Sequence, residues 1–490
     1  MSVPKSVIMK KINEGWCIAN NGYPANDSEV KRYISVTPSE RQLDFLEMKY
    51  YNFIHFGINT INNREWGDGR EDISRFNPKK LDTDQWCRIL KSTGSKGIII
   101  TAKHHDGFCL FDTAYTDHNV MNTPFGRDIV KLLSESCKKY SLKLGIYLSP
   151  WDRHEKTYGT EAYNDFFVGQ LTELCRNYGD IFCFWFDGAC GEGPNGKKQV
   201  YDWERYYSVI REYHPHAVIN ICGPDVRWIG NEGGRVRESE WSVIPGERDS
   251  NDLIAENSQT DESQTKHMAE KPDDTSADLG SRQVLKNYKK LIFKPAEADV
   301  SLNYGWFHNS RPFSYAGRGR TPEKLAQIYF NTVGGNASML LNVPPNRHGL
   351  IGKSEEKRLI RFTELITEPF KNEIKDISLY ALTVCGEKRK TEQGTALRED
   401  EIGYILSLSE RQAVSALYFS EDLRYSQRIE QFKIFVADEK GEYTHLYTGT
   451  AVGSGKLVML EKHAFTDEIL IAVTQSRSNP VLRNIEAYRK

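Results

Sequence analysis

The chain has 490 residues, too many for one ordinary core at about 100–200 residues per domain, so two or three domains or a large barrel with an added module are expected. Lysine and arginine number 65 against 67 aspartate and glutamate, a balance that gives no bulk electrostatic reason to bind nucleic acid or an anionic membrane. A neutral ligand is the default, and an aromatic content of 11% supplies flat faces that suit sugar rings as well as cores.

Residues 1–39 read as an N-terminal extension. Its start carries Lys5, Lys10 and Lys11 and no apolar run long enough for a signal-peptide core or a membrane span, which predicts a cytoplasmic protein. The nine cysteines are scattered without CxxC spacing and read as reduced core thiols rather than a zinc site or a disulfide framework.

From Tyr50 short apolar runs alternate with longer amphipathic ones, the pattern of a repeating β/α sheet or barrel. Asn52 to Gly57 is a first strand and Asp82 to Thr93 a helix closed by Gly94. Lys96 to Thr101 is a second strand, Ile129 to Tyr140 a helix and Leu142 to Leu148 a third strand. A helix over Ala162 to Tyr178, a strand from Ile181, a helix over Asp202 to Tyr213 and a strand at Ala217 to Ile221 repeat the unit. Residues 248–281 are polar and acidic with little to bury, and read as a surface insertion. Asp299 to Tyr304, a helix at Pro322 to Thr332, the run Ser338 to Asn342 and a helix at Lys353 to Ile366 complete a barrel over 40–366. Residues 375–490 then change character: short, period-two, turn-bounded segments at Tyr404 to Leu408, Val414 to Phe419, Phe432 to Ala437 and Ile469 to Val473 predict a C-terminal β-sandwich. The expected fold is α/β, a (β/α)8-like barrel followed by that sandwich.

The most informative stretch is Phe184-Trp185-Phe186-Asp187-Gly188, where an apolar run ends in one carboxylate. The C-terminal ends of barrel strands are where active sites are built, which makes Asp187 a catalytic candidate. An Asp-Gly after a strand also suits a helix N-cap or a turn. Other strand ends add to it: His55 after the first, Lys103-His104-His105-Asp106 after the second, Tyr147 and Trp151-Asp152 after the third. Neutral imidazoles donate from one nitrogen and accept at the other, which matches vicinal hydroxyls. Metal binding by His104, His105 and Asp106 is a weaker alternative, because adjacent residues leaving a strand diverge. Glycoside hydrolysis needs a second carboxylate. Glu232, in a glycine-flanked loop past the fifth strand, is the candidate, and spacing alone does not separate it from Glu238, Glu240 or Glu297.

Six blocks in order across residues 40 to 350 resemble glycoside hydrolase family 29, the retaining α-L-fucosidases: His55-Phe56-Gly57, Glu65-Trp66-Gly67, Thr101 to Phe108, Tyr147 to Trp151, Phe184 to Ala189 and Gly305-Trp306-Phe307. The resemblance implies a fucose-binding barrel with Asp187 as nucleophile and His55, Glu65, Trp66, His104, His105, Tyr147, Trp185 and Trp306 around the sugar. The stretch Asp225 to Glu232, with Glu238 to Ser242, is similar to the branch that prefers α-1,3/1,4-linked fucose. That similarity implies Glu232 as acid/base, with Glu297 as fallback, and Trp228 and Trp241 on the aglycone side. It further implies a fucosylated oligosaccharide substrate and chemistry with no metal or organic cofactor. The rival expectations are a non-catalytic fucose-binding protein and a fucosidase of α-1,2/1,6 preference.

Overall fold

Eight strands run parallel in one sheet of the computed structural model, which describes residues 28–258, 277–311, 314 and 317–489. They are β1 (Tyr50–Ile54), β2 (Gly97–Lys103), β3 (Lys143–Leu148), β4 (Ile181–Phe186), β5 (Val218–Ile221) and β6 (Arg227–Trp228). After an antiparallel pair, β7 (Val243–Pro245) and β8 (Leu291–Phe293), come β9 (Ala296–Ser301) and β10 (Ala337–Asn342). The hydrogen-bonded order β5-β4-β3-β2-β1-β10-β9-β6 brings the end of the list back beside its start. Ile221 N–H donates to Val226 O at 3.0 Å across the remaining gap, so the barrel is nearly closed.

The strands are apolar because both faces are covered. Side chains alternate: Tyr51, Phe53, Tyr147, Cys183 and Trp185 pack inside the barrel, while Ile54, Ile98, Ile100, Phe184 and Phe186 pack outward against the helices. Helices follow each of the first four strands: Thr83–Ser92, Ile129–Tyr140, Glu161–Asn177 and Trp203–Tyr213. Three of them start at an aspartate whose side chain caps a free N–H: Asp82 to Gln85 (2.9 Å), Asp128 to Lys131 (2.8 Å) and Asp202 to Arg205 (3.2 Å). Pro322–Thr332 and Lys353–Thr367 follow β9 and β10.

The β/α repeat breaks after β5. Cys222 to Val226 alone connect β5 to β6, without a helix, and Ile221 turns the corner in a left-handed conformation (φ 66°) that a β-branched residue ordinarily avoids. The expected strand at Asp299 to Tyr304 begins earlier, at Ala296. Its inward positions are Glu297 and Asp299, and polar side chains on an inner face hide a strand from a hydrophobicity reading. Of the 248–281 insertion, residues 259–276 lie outside the described residues; its flanks form short helices at Asn251–Asn257 and Arg282–Leu285. Of the 1–39 extension, residues 1–27 also lie outside, and Ser28–Ile34 is helical. Among the described residues no helix is long and apolar enough to cross a membrane, and all cysteines are free thiols.

The C-terminal part is an antiparallel sheet of β11 (Asn372–Glu373), β12 (Ile377–Thr383), β13 (Lys388–Lys390), β14 (Glu401–Glu421), β15 (Ile429–Ala437), β16 (Tyr443–Gly449), β17 (Lys456–Ser476) and β18 (Leu482–Arg489). Two of the segments expected as separate strands, Tyr404 to Leu408 and Val414 to Phe419, are halves of the single 21-residue β14. Register shifts at Ser407/Gln412 and Val414/Ala416 bend it, so its first half pairs with β12 and its second with β18. β17 does the same, and the two halves enclose one core containing Leu406, Leu417, Phe419, Val458, Ile469 and Ile471. Long strands that change layer at bulges make a sandwich from one continuous sheet.

Candidate active site

Alternation along β4 fixes where Asp187 goes. Cys183 and Trp185 face the barrel interior, so Asp187, two residues on, emerges at the mouth on the same face. No helix starts until Trp203, so Asp187 is not an N-cap. Its Oδ1 accepts the Ala189 N–H (2.8 Å), while Oδ2 accepts the Tyr147 hydroxyl (2.8 Å) and lies 3.9 Å from His105 Nε2. Burial pushes its pKa up, and hydrogen bonds from Ala189, Tyr147 and Gly188 oppose that shift. Gly188 cannot carry a side chain: a Cβ there would sit 2.4 Å from Ser258 Oγ and 2.6 Å from Ile254 Cγ2, where the helix Asn251–Asn257 and its end close over the mouth.

A pocket opens beside Asp187, and His55, Trp66, His104, His105, Tyr147, Trp185 and Trp306 line it. Two of the imidazoles are oriented from behind. Ser149 Oγ donates to Trp151 O (2.7 Å) and therefore accepts from His105 Nδ1 (2.8 Å); Asn342 Oδ1 accepts from His55 Nδ1 (2.9 Å). Each ring is left with Nε2 as an acceptor. Burial pushes His55 and His105 down to about 3 and His104 well below its ordinary value, so all three are neutral at physiological pH. Among the described residues His104 Nδ1 is buried without a hydrogen-bond partner. Tyr147 stacks between Trp185 (5.3 Å, 23°) and His104 (5.7 Å, 11°), and Trp66 meets His105 edge-on at 5.2 Å. The loop after His105 needs Gly107, in a left-handed conformation (φ 77°), because a Cβ there would lie 2.5 Å from Asp152 Oδ1.

The acidic candidates separate by their partners. Glu232 lines the pocket; burial is the main cause that raises its pKa to about 7, helped by the Asp187 charge and opposed by the Trp306 hydrogen bond and Arg320. Glu297 is fully buried below the pocket, where it accepts from the Tyr51 hydroxyl, Trp185 Nε1 (2.6 Å) and Asn220 Nδ2 (2.7 Å). Glu240 is buried against Arg227 and Arg237, away from the pocket. Glu238, exposed, offers its carbonyl to Thr450. Glu65, expected around the sugar, does not line the pocket: its Oε2 accepts the N–H groups of Trp306 (2.7 Å) and Phe307 (3.4 Å), fixing the loop that presents Trp306.

Of the two aglycone-side tryptophans, Trp228 is in the pocket wall and Trp241 is not. Trp241 packs with Ile244 and Ala451, and the Arg477 guanidinium lies 4.1 Å from its ring centroid, so it belongs to the seam with the C-terminal sheet. Sequence reading missed Asp299, a further carboxylate of the pocket. Trp228 Nε1 donates to its Oδ1 (2.7 Å), and burial together with the charges of Glu232 and Glu297 pushes its pKa well up. The period-two step from Glu297 was the available signal. Among the described residues no group of three or more His, Cys, Asp or Glu could hold a metal ion.

This geometry agrees with what known proteins resemble the chain. The family model described as alpha-L-fucosidase matches residues 2–367. The Arabidopsis thaliana protein named alpha-L-fucosidase 1 is 34% identical over 471 residues, covering 92% of this chain and 87% of that protein. A Bacteroides ovatus protein crystallised as an alpha-L-fucosidase candidate superposes with a TM-score of 0.79 at 36% identity, over 95% of this chain and 77% of that one. A Ruminococcus gnavus glycoside hydrolase family 29 fucosidase, solved in complex with fucose, gives a TM-score of 0.75 at 26% identity, over 93% and 95% of the two chains.

The partners of the two carboxylates predict different stability effects. Glu297→Ala strands three buried donors and should destabilise the fold by about 3 kcal/mol or more, whereas Asp187→Gly, at the open mouth, should leave the melting temperature close to wild type. Thermal unfolding of the two variants tests this; equal shifts would mean Glu297 is not a structural group.

Proposed function

The chain belongs to the alpha-L-fucosidase family, a glycoside hydrolase family, and from that premise we propose that it releases α-L-fucose with retention through a covalent intermediate on Asp187. The observation that carries this reading is Asp187 itself, a strand-end carboxylate whose Oδ1 is tied to its own turn while Oδ2 meets Tyr147 in a pocket lined by neutral imidazoles. Asp187 attacks the anomeric carbon as Glu232 protonates the departing oxygen. Glu232 then takes a proton from water, which displaces Asp187. His55, His104 and His105 accept or donate to the sugar hydroxyls, and Trp66, Trp185 and Trp306 supply the apolar walls. Residues 40–366 make up the catalytic unit in this reading, and 375–490 a separate module.

The two carboxylates need opposite protonation states, and their environments support that division. Burial and the Asp187 charge raise the Glu232 pKa to about 7, so the carboxyl holds its proton below that pH and begins to lose it around neutrality. Esterification of Asp187 removes that charge, which lowers the Glu232 pKa at the step where it must act as base. Arg320 and the Asp299 carboxyl also face Glu232.

The nucleophile is tested by Asp187→Gly. Turnover should fall by several orders of magnitude and recover with azide, which fits the vacated volume and yields a fucosyl azide of inverted configuration. Near wild-type turnover on an aryl fucoside would remove Asp187 from the role; fucose binding without any turnover in the wild type would make the protein a lectin.

The acid is tested by pH. Glu232 must start protonated, so kcat/KM should fall as pH rises through about 7. In Glu232→Gln that alkaline limb should vanish on substrates with activated leaving groups; a limb that persists unchanged belongs to another residue.

For linkage, we propose a preference for α-1,3/1,4-linked fucose on branched glycans. Trp228, in the pocket wall beside Glu232, supports it by offering an aromatic face to a second sugar. Each tenfold of preference corresponds to about 1.4 kcal/mol of transition-state contact. Lewis a or Lewis x trisaccharide should be cleaved faster than 2'-fucosyllactose, and Trp228→Ala should narrow the gap. Equal efficiencies would overturn the preference and leave the hydrolase intact.

A further inference from the structure

The loop that carries Glu232 leaves β6 after Trp228 and returns to β7 at Val243, and it is fastened at its neck. The buried carboxylate of Glu240 takes the guanidinium of Arg227, on the outgoing limb, and that of Arg237, on the returning limb, at 3.5 Å. Arg237 also reaches across to Ile229 O (3.2 Å). Nearer the tip, Asn231 donates to Arg235 O (2.9 Å) and accepts the N–H groups of Gly233 and Arg235 (3.0 Å each), folding a tight turn around Glu232. The limbs are thus tied to each other, and Glu232 sits between the ties.

The same neck is held from outside the barrel. Gln427, fully buried just before β15 of the C-terminal sheet, accepts the Ser242 N–H (2.8 Å) and donates to Glu240 O (3.2 Å). Asn336, ahead of β10, donates to the same Glu240 carbonyl (2.8 Å), while its Oδ1 accepts the Ser454 N–H (2.7 Å). Thr450 donates to Glu238 O (2.8 Å), and Arg477 covers Trp241. Gln427 is the residue among these whose two bonds both go to the backbone of the returning limb, and its side chain has no place in the pocket. General acid catalysis needs the carboxyl within hydrogen-bond reach of the leaving oxygen, so a small displacement of this neck reaches the chemistry.

We propose that Gln427 is a positioning residue for the acid/base, and that through it the C-terminal sheet sets the placement of Glu232. This rests on the reading of Glu232 as the general acid. It gives the C-terminal module a part in catalysis that needs no sugar contact of its own, and it gives Trp241 a role in the seam in place of an aglycone contact.

The test uses the full chain and a series of aryl fucosides of similar size whose phenols differ in acidity. A misplaced acid costs most where the leaving group most needs its proton. Glu232→Ala should steepen the dependence of kcat/KM on phenol acidity. Gln427→Met keeps the side-chain volume and removes both hydrogen bonds; it should lose about 10- to 100-fold on the least acidic phenol and under about twofold on the most acidic. Fucose binding measured by calorimetry should stay at the wild-type Kd. Gln427→Glu keeps the acceptor for Ser242 N–H and should recover part of the slope. A folded Gln427→Met with the wild-type slope overturns the proposal while Glu232 stands. If Gln427→Met does not fold, Gln427→Leu, which likewise removes both hydrogen bonds, takes its place, and a wild-type slope there has the same force. A Glu232→Ala that leaves the slope unchanged removes the acid assignment, and the proposal with it.

Discussion

Four carboxylates share the mouth and interior of one barrel, and accommodating them in so little space is the constraint on which the rest of the site depends. Unpaired buried charge is too costly to keep, so each group must find donors or hold a proton. Glu297 is satisfied by Tyr51, Trp185 and Asn220 and becomes part of the scaffold. Asp187 has backbone donors on one side and Tyr147 on the other. Glu232 and Asp299 are met by the indoles of Trp306 and Trp228, and burial raises both. Four chemically similar groups thereby acquire different environments from the donors around them.

The histidines follow from the same burial. An imidazolium in this pocket would attract the carboxylates and lock them into ion pairs, while neutral rings leave them available. Ser149 and Asn342 decide which nitrogen of His105 and His55 faces inward, so the hydrogen-bonding pattern offered to a sugar is set one layer behind the pocket surface. Glu65 acts at the same remove, holding the backbone of Trp306 and Phe307. Such a pocket presents fixed acceptors and flat aromatic faces.

The regular and irregular parts of the barrel have different tasks. Tyr147 lies on β3, and His55, His104, His105 and Asp187 leave β1, β2 and β4 at or just past their ends, so these groups stand on or beside the regular frame, which suits groups that must hold position. Beyond β5 the repeat breaks: no helix intervenes, Ile221 is strained, and the chain makes the long excursion that carries Glu232. A loop so far from the regular frame needs support from elsewhere. It finds that support in buried ion pairs at its neck and in the adjoining C-terminal sheet.

Local periodicity in the sequence determined the fold class, because strands covered on both faces read as apolar runs and helices as amphipathic ones. The helix Pro322–Thr332 and the span of Ile129–Tyr140 are legible to the residue, since Thr321 with Pro322 and Asp128 mark their starts. The same alternation put Asp187 in phase with Trp185 and so toward the barrel interior. Polar inner faces were not legible: β9 was read too late because Glu297 and Asp299 look like loop residues until their barrel partners are known. The long β14 was read as two strands, because a bulge and a turn have the same composition. What only the tertiary structure decided is which of the similar residues meet. Glu232, Glu238, Glu240 and Glu297 have near-identical local signatures, and so do Trp228 and Trp241. Their differences arise from contacts made across tens to hundreds of residues, such as Arg477 on Trp241 and Trp185 on Glu297, and side-chain environment is a property of packing that local pattern does not encode.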